Sequence, residues 1–437
     1  MRDLKEDAKS IFLETLKSIQ LDSVIKKRLR LSGYELIVDG HPLDLHDYRE
    51  VVLIGLGKAS ASIGAALEAI LGDRLTRGLL VMNAKPRVSL KSEVIVAGHP
   101  LPNASSLKAG ERLIQLIESS ERDSLVLFAI SGGGSSLVEL PLSSAITLED
   151  LRELNRVLIS CGATIREINI IRKHLSRVKG GRLGYLARNN QSLALFVSDV
   201  NQGDLRSIAS NPLLPDDATL EEFEGILNRY GLAERMPASV RKLIAADGIP
   251  ALPKWRIQGS DRVDVLLLEN ADAVSAATLA AEARGFRVEV DRSHTEEEYR
   301  TAADALIERL LASRREGAFE KVCIVSGGEF SCSVAGRGFG GRNQEFVLYC
   351  AARLAARGLS GRSAVLSCGT DGIDGNSSAV GAVSDASVIN AAGGVGLDAS
   401  IFIAENSSTS FFCEAGGLIV TGPTGNNVRD LRLLLMN

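Results

Sequence analysis

Three glycine-rich stretches, each beside an apolar run, hold most of the residues that could do chemistry in this chain. The first is Gly55-Leu56-Gly57-Lys58-Ala59-Ser60, directly after Val51 to Ile54. Glycines let the backbone approach an anion closely, and Lys58 adds a mobile positive charge at the same place. The spacing lacks the four-residue gap of a phosphate-binding P-loop. It is also incomplete as a dinucleotide fingerprint, since the next strand runs into Asn83-Ala84-Lys85 rather than the acid that would bind a ribose. A tight turn carrying a surface lysine is the plain alternative. The second stretch, Ser131-Gly132-Gly133-Gly134-Ser135-Ser136, follows an apolar strand ending at Ile130. Its N–H and O–H donors suit a phosphate nest, against the alternative of a flexible linker. The third runs Gly336-Arg337-Gly338-Phe339-Gly340-Gly341-Arg342-Asn343-Gln344-Glu345. Arg342, at an expected helix start, can bind a carboxylate or phosphate bidentately, whereas Asn343 and Glu345 could equally be a cap and surface charge.

Carboxylates able to hold Mg²⁺ or accept a proton follow two other apolar runs: Asp199 and Asp204 in the segment 198–204, and Asp371 and Asp374 in the segment 369–375. Asx-turns without catalytic duty are the competing reading. The Asp371 segment lacks the oxygen-ligand spacing and terminal Glu of a calcium loop. No histidine joins a serine in a triad. His99, after a strand, could contact a ligand or brace its loop, and His174 in Arg172-Lys173-His174 is expected on a solvated helix face.

These residues need a scaffold, and the sequence supplies an alternating one. Apolar strands at 51–54, 78–82 and 124–130 are separated by helical patterns at 60–71 and 105–119, which favours a parallel sheet covered on both faces. Helical patterns at 147–160 and 163–178 and a strand at 192–197 extend it. A connection without clear periodicity spans about 245–263 and contains Pro250, Pro253 and the sole tryptophan, Trp255. The alternation restarts with a strand at 263–268, a helix at 271–283, a strand at 287–290, a helix at 295–314 and a strand at 321–326. A helix near 343, a strand at 363–367 and a final strand-loop-helix from 417 to 436 follow. The expected fold class is α/β, two domains with mainly parallel sheets flanked by helices, divided as 1–245 and 246–437.

At 437 residues the chain fits two such domains. A net charge of −4 gives no polyanion footprint, and no nucleic-acid partner is expected. The six cysteines show no metal-ligand spacing and are expected to be reduced and buried. The charged N-terminus is unlike a signal peptide and no apolar run spans a bilayer. A cytoplasmic protein, monomer or homodimer, without a membrane partner is expected.

In this order the motifs resemble the glycerate 2-kinase family, also called class II glycerate kinases, whose C-terminal part is the MOFRL domain. The matching stretches are 55–60, 98–102, 131–137, Asn169 to Ser176, Lys179 to Leu183, 198–204, Ser326-Gly327-Gly328-Glu329, 340–345, 369–375 and Thr421-Gly422-Pro423-Thr424. The resemblance implies a Rossmann-like first domain, a MOFRL-type second, and an active site in the cleft between them. It also implies phosphoryl transfer from ATP, with Mg²⁺, to D-glycerate, usually giving 2-phosphoglycerate. Lys58 matches the family's essential lysine and Arg342 its cleft arginine, while Asp199 and Asp204 match the acidic strand-end segment and are the candidates for base or metal work. Substrate or nucleotide contacts are expected from Gly55, Gly57, His99, Ser131, Gly132, Gly133, Gly134, Ser135, Ser136, Glu329, Asn343, Asp371 and Asp374. The chain departs from the family pattern at Asn211, Ser378 and Ser407, departures that bear on nucleotide or acceptor preference. The rival readings are an NAD(P)-dependent hydroxypyruvate reductase and a non-catalytic phosphosugar-binding protein.

Overall fold

The structure, a computed structural model, describes residues 3–200, 204–246, 248–257, 262–316 and 321–437. They form two compact units, Val24–Leu267, and Met1–Ser23 together with Leu268–Asn437. The divide expected at 245/246 is therefore not where the packing falls. Helix α1 (Leu4–Ser18) belongs with the C-terminal segment, because its apolar face covers that segment's sheet. Asp3 caps it by accepting from the Lys5 N–H at 2.9 Å, and Leu4, Ala8, Ile11 and Phe12, spaced three and four apart, are buried.

In the unit of residues 24–267, six strands make one sheet: β1 (Glu50–Leu56), β2 (Arg77–Met82), β3 (Glu93–Val96), β4 (Ser124–Ser131), β5 (Gln191–Val197) and β6 (Arg262–Leu268). Their order is β3-β2-β1-β4-β5-β6, and β1 to β5 pair in parallel. Every residue of β4 is buried, as a central strand with helices on both faces requires. The strand expected to open the second domain, β6, instead closes this sheet. Helix α2 (Ser60–Leu71) follows β1, and α3 (Ile165–His174) precedes β5. The chain moves outward from β1 through β2 to β3, then returns to lay β4 on the other side of β1. That reversal opens a crevice at the carboxyl ends of β1 and β4. A small antiparallel sheet of Leu29–Ser32, Glu35–Val38 and His41–Asp44 went unread in the sequence.

The other unit is built on β7 (Arg287–Asp291), β8 (Val322–Gly328), β9 (Ser363–Gly369), β10 (Gly381–Ser384), β11 (Leu418–Ile419) and β12 (Asp430–Met436), in the order β7-β8-β12-β9-β10-β11. This sheet is mixed: β7 and β8 are parallel, whereas β12 lies antiparallel between β8 and β9. The final helix expected from the sequence is thus a central strand. Its run Leu431 to Met436 is buried throughout, and a short apolar run does not by itself distinguish strand from buried helix. Helices α4 (Asn270–Glu282), α5 (Arg342–Ala356) and α6 (Ser408–Ala415) pack around the sheet. The α1 residues Ile11 and Phe12 share one core with Ala277, Cys323, Leu366 and Leu433.

Truncating a fully buried phenylalanine costs about 3–5 kcal/mol. Phe12→Ala is therefore expected to lower unfolding stability by that order in a denaturant titration. A loss below about 1 kcal/mol would show that α1 is dispensable to this core.

Candidate active site

The reversal between β1 and β4 brings two glycine-rich loops together. Lys58 N–H donates to Gly132 O at 2.9 Å, and Ala59 N–H donates to the buried Ser131 Oγ at 2.9 Å. Gly57 holds φ 119°, and a β-carbon there would sit 2.2 Å from Ser131 Oγ, so only glycine permits the contact. The Asp199 carboxylate, beyond the end of β5, fills the space beside Gly132: a β-carbon on Gly132 would lie 1.6 Å from Asp199 Oδ2. One on Gly133 would lie 3.2 Å from both His99 Nε2 and Lys58 Cγ. Lys58, His99, Asp199 and the Gly132–Gly133 backbone therefore converge on one edge of the sheet, next to the N-terminus of α2. A cation, a carboxylate, an imidazole and backbone N–H groups in that position can hold a phosphate and its counter-ion.

All three serines of this loop make internal hydrogen bonds. Ser131 is internal, and Ser136 Oγ donates to Gly133 O at 3.3 Å. Ser135 Oγ lies 2.7 Å from Ser210 Oγ, which reaches Asn169 Oδ1 at 3.1 Å. Ala209, Ser210 and Asn211 all take positive φ, 53°, 58° and 54°. Backbone strain of this kind concentrates at functional sites. The departure at Asn211 is explained here, since asparagine tolerates the left-handed region well. Its side chain also donates to Leu214 O at 3.0 Å and Asp216 Oδ2 at 2.6 Å. Asp204 is exposed and bonds to the Ser207 hydroxyl, and residues 201–203 lie outside the described residues.

In the other unit Arg342 opens α5. Its Nε and Nη2 donate to Asp430 Oδ2 and Oδ1 at 2.6 and 3.0 Å, and its Nη1 lies 2.6 Å from Glu329 Oε1. Burial opposes the guanidinium charge, yet the carboxylates of Asp430 and Glu329 outweigh it and raise the pKa above its ordinary value. Asp374 accepts from the backbone N–H groups of Asn343 and Gln344 at 3.1 and 3.0 Å and from both their side chains. It anchors the helix end and is committed inside the protein. Asn343 is likewise taken, with Ser367 Oγ donating to its Oδ1 at 2.5 Å. Asp371 is half-buried and accepts from Ile373 N–H at 3.1 Å, in an Asx-turn.

Several expectations change. Lys173 and His174 of α3 are buried rather than solvated: Lys173 pairs with Asp216 at 2.7 Å, and His174 Nδ1 lies 2.9 Å from Ile170 O. Helical spacing alone could not show that this face packs inward. Glu345 is buried, not surface charge. All six cysteines are free, but Cys413 is exposed and Cys161 and Cys332 are half-buried. Among the described residues no three His, Cys, Asp or Glu side chains group to hold a metal, and no helix is long and apolar enough to cross a membrane. Ser407 precedes α6 with its hydroxyl 3.0 Å from Ser410 Oγ, and Ser378 is exposed. Sequence reasoning missed Asp430, because it sits at the head of a strand read as helix.

Comparison with known proteins covers both parts of the chain. The family described as "Domain of unknown function (DUF4147)" matches residues 7–245, and the MOFRL family matches residues 322–430. A D-glycerate 2-kinase of Thermotoga maritima is 33% identical over 425 residues, covering 96% of this chain and 98% of its own. A protein of Agrobacterium vitis named putative hydroxypyruvate reductase is 35% identical over 390 residues, covering 88% of this chain and 87% of its own. The crystal structure of a glycerate kinase from Thermotoga maritima superposes with a TM-score of 0.83 at 30% identity, over 99% of each chain.

Burial lifts the Glu345 carboxyl to about 7 and Asp374 to about 6. An acid whose folded pKa is raised contributes stability that is full below its unfolded value and lost as pH rises through the folded one. From Glu345 alone, stability is expected to fall by on the order of 3 kcal/mol between pH 5 and 8. Glu345→Gln should flatten that decline in urea titrations across the range. An equally steep decline in the variant would assign the slope to other groups.

Proposed function

The chain belongs to the glycerate 2-kinase family, and from that premise we propose that it transfers the γ-phosphoryl group of ATP to D-glycerate, giving 2-phosphoglycerate and ADP. The observation that carries the reading is the convergence of Lys58, His99, Asp199 and the Gly132–Gly133 backbone on the crevice edge of a parallel sheet. Phosphoryl transfer asks for alignment and charge stabilisation more than covalent chemistry, and this set supplies both. Lys58 and the loop N–H groups neutralise charge growing on the transferring phosphoryl group. The C2 hydroxyl oxygen of glycerate forms the new bond to phosphorus as the bond to the β-phosphate oxygen breaks. Arg342 takes the glycerate carboxylate or a phosphate.

Mg²⁺ fits the donor set here, since an ion that keeps most of its waters needs only one or two carboxylates beside the nucleotide phosphates. Asp199 lies against Gly132, which supports assigning it to metal holding or to accepting the hydroxyl proton. When bound, the metal supplies charge neutralisation on the phosphates.

A reductase reading draws on the Agrobacterium vitis relative and on the strand order, which is that of dinucleotide-binding sheets. Against it, β2 ends at Met82 and runs into Asn83-Ala84-Lys85, without the acid that would bind a ribose.

Purified protein with D-glycerate, ATP and Mg²⁺ should release ADP only when glycerate is present, with no NADH oxidation on hydroxypyruvate in a parallel cuvette. Lys58→Ala should lower turnover by about 100- to 1,000-fold while leaving the circular-dichroism melting curve intact. Full activity in that variant would remove Lys58 from the chemistry. Absence of glycerate-dependent ADP release would sink the kinase reading itself.

A further inference from the structure

A row of alternating charges lines the sheet edge beside α5. Arg429 Nη2 donates to Glu296 Oε1 at 2.6 Å, and Arg429 Nε lies 3.7 Å from Glu329 Oε2. Glu329 then meets Arg342 Nη1, and Arg342 meets Asp430. The two carboxylates on Arg342 differ in exposure: the side chain of Asp430 is 1% exposed and that of Glu329 39%.

We propose that Asp430 is a positioning residue for Arg342, and that Glu329 is an exchangeable place-holder on the guanidinium edge that the acceptor's carboxylate takes over. The inference rests on the assignment of Arg342 to the acceptor made above.

A guanidinium presents its N–H groups in one rigid plane. Asp430 grips the Nε–Nη2 side of that plane at two points, which fixes both its tilt and its rotation. Glu329 stands at Nη1. Removing a buried partner leaves an uncompensated charge and is costly. Exchanging an exposed carboxylate for another carboxylate conserves the charge pairing and costs little. One contact is therefore suited to be permanent and the other to be replaced.

The backbone supports the permanent one. Asp430 is the first residue of β12, in register with Gly328 of β8 and Gly369 of β9. A β-carbon on Gly369 would lie 3.4 Å from Asp430 Oδ1, so the carboxylate packs directly over that glycine. The preceding residue, Arg429, holds φ 67°, a region L side chains rarely adopt. Its carbonyl accepts from Thr370 N–H at 2.9 Å and Thr370 Oγ1 at 2.7 Å, which holds the strained turn in place.

Steady-state kinetics with D-glycerate as the varied substrate, alongside thermal melts, test the pair of roles. Asp430→Asn should raise KM for glycerate by about 100-fold with a smaller fall in kcat, because the guanidinium is no longer aimed. Asp430→Glu keeps the charge but moves the carboxylate by one methylene, and should raise KM by about 10-fold. This variant carries the test if Asp430→Asn fails to fold. Glu329→Gln should lower KM by about 3-fold with kcat unchanged, since the competing carboxylate is gone. Wild-type KM in a folded Asp430→Asn or Asp430→Glu protein would overturn the positioning role. A KM raised in Glu329→Gln as far as in Asp430→Asn would overturn the place-holder role. Arg342→Ala with wild-type kinetics would instead sink the assignment of Arg342 on which both roles rest.

Discussion

Backbone packed against backbone at the ends of β1 and β4 is the contact on which the first cluster depends. Lys58 N–H reaches Gly132 O, and the chain at Gly57 runs so close to Ser131 that no β-carbon fits between them. With the loops locked this way, the Lys58 side chain runs beside Gly133 and His99. Asp199 arrives from the next strand into space left by the missing side chain of Gly132. A larger residue at Gly57 or Gly132 would separate the loops and with them the charges they carry.

The other unit reaches a comparable concentration of charge by different means. Here side-chain carboxylates hold the start of α5, and Asp374 packs against Gly341, where a β-carbon would lie 2.3 Å from its Oδ1. Asp374 takes four donors from the first turn of α5, and Asp430 takes two from Arg342 itself. Burying acids to hold a helix end costs free energy whenever they are ionised, which is why Asp374 and Glu345 have raised pKa values. The rigidity that aims the arginine and the pH sensitivity of the fold share one cause.

A second consequence of burial is that charge runs mislead. Arg172-Lys173-His174 reads as a solvated face, yet Lys173 pairs with Asp216, and the same Asp216 accepts from Asn211. The basic end of α3 therefore braces the strained turn Ala209-Ser210-Asn211, whose Ser210 touches Ser135 of the glycine-serine loop.

How much of this was legible follows from the range of the interactions involved. The parallel first sheet and the helix opening at Ser60 could be read from periodicity, and the segments that carry Lys58, Asp199 and Arg342 stood out as strand-end motifs. Those signals are local: a strand's burial, a helix's stripe and a turn's glycines are written within ten or so residues of one another. Tertiary structure alone decided that α1 belongs with the C-terminal sheet, that β6 closes the first sheet, and that residues 430–436 are a central strand. It also decided that Asp374 and Asn343 are consumed in holding a helix end while Asp430 grips Arg342. Each of these turns on partners far apart in sequence, and an apolar run or a lone aspartate does not encode which distant backbone will lie beside it.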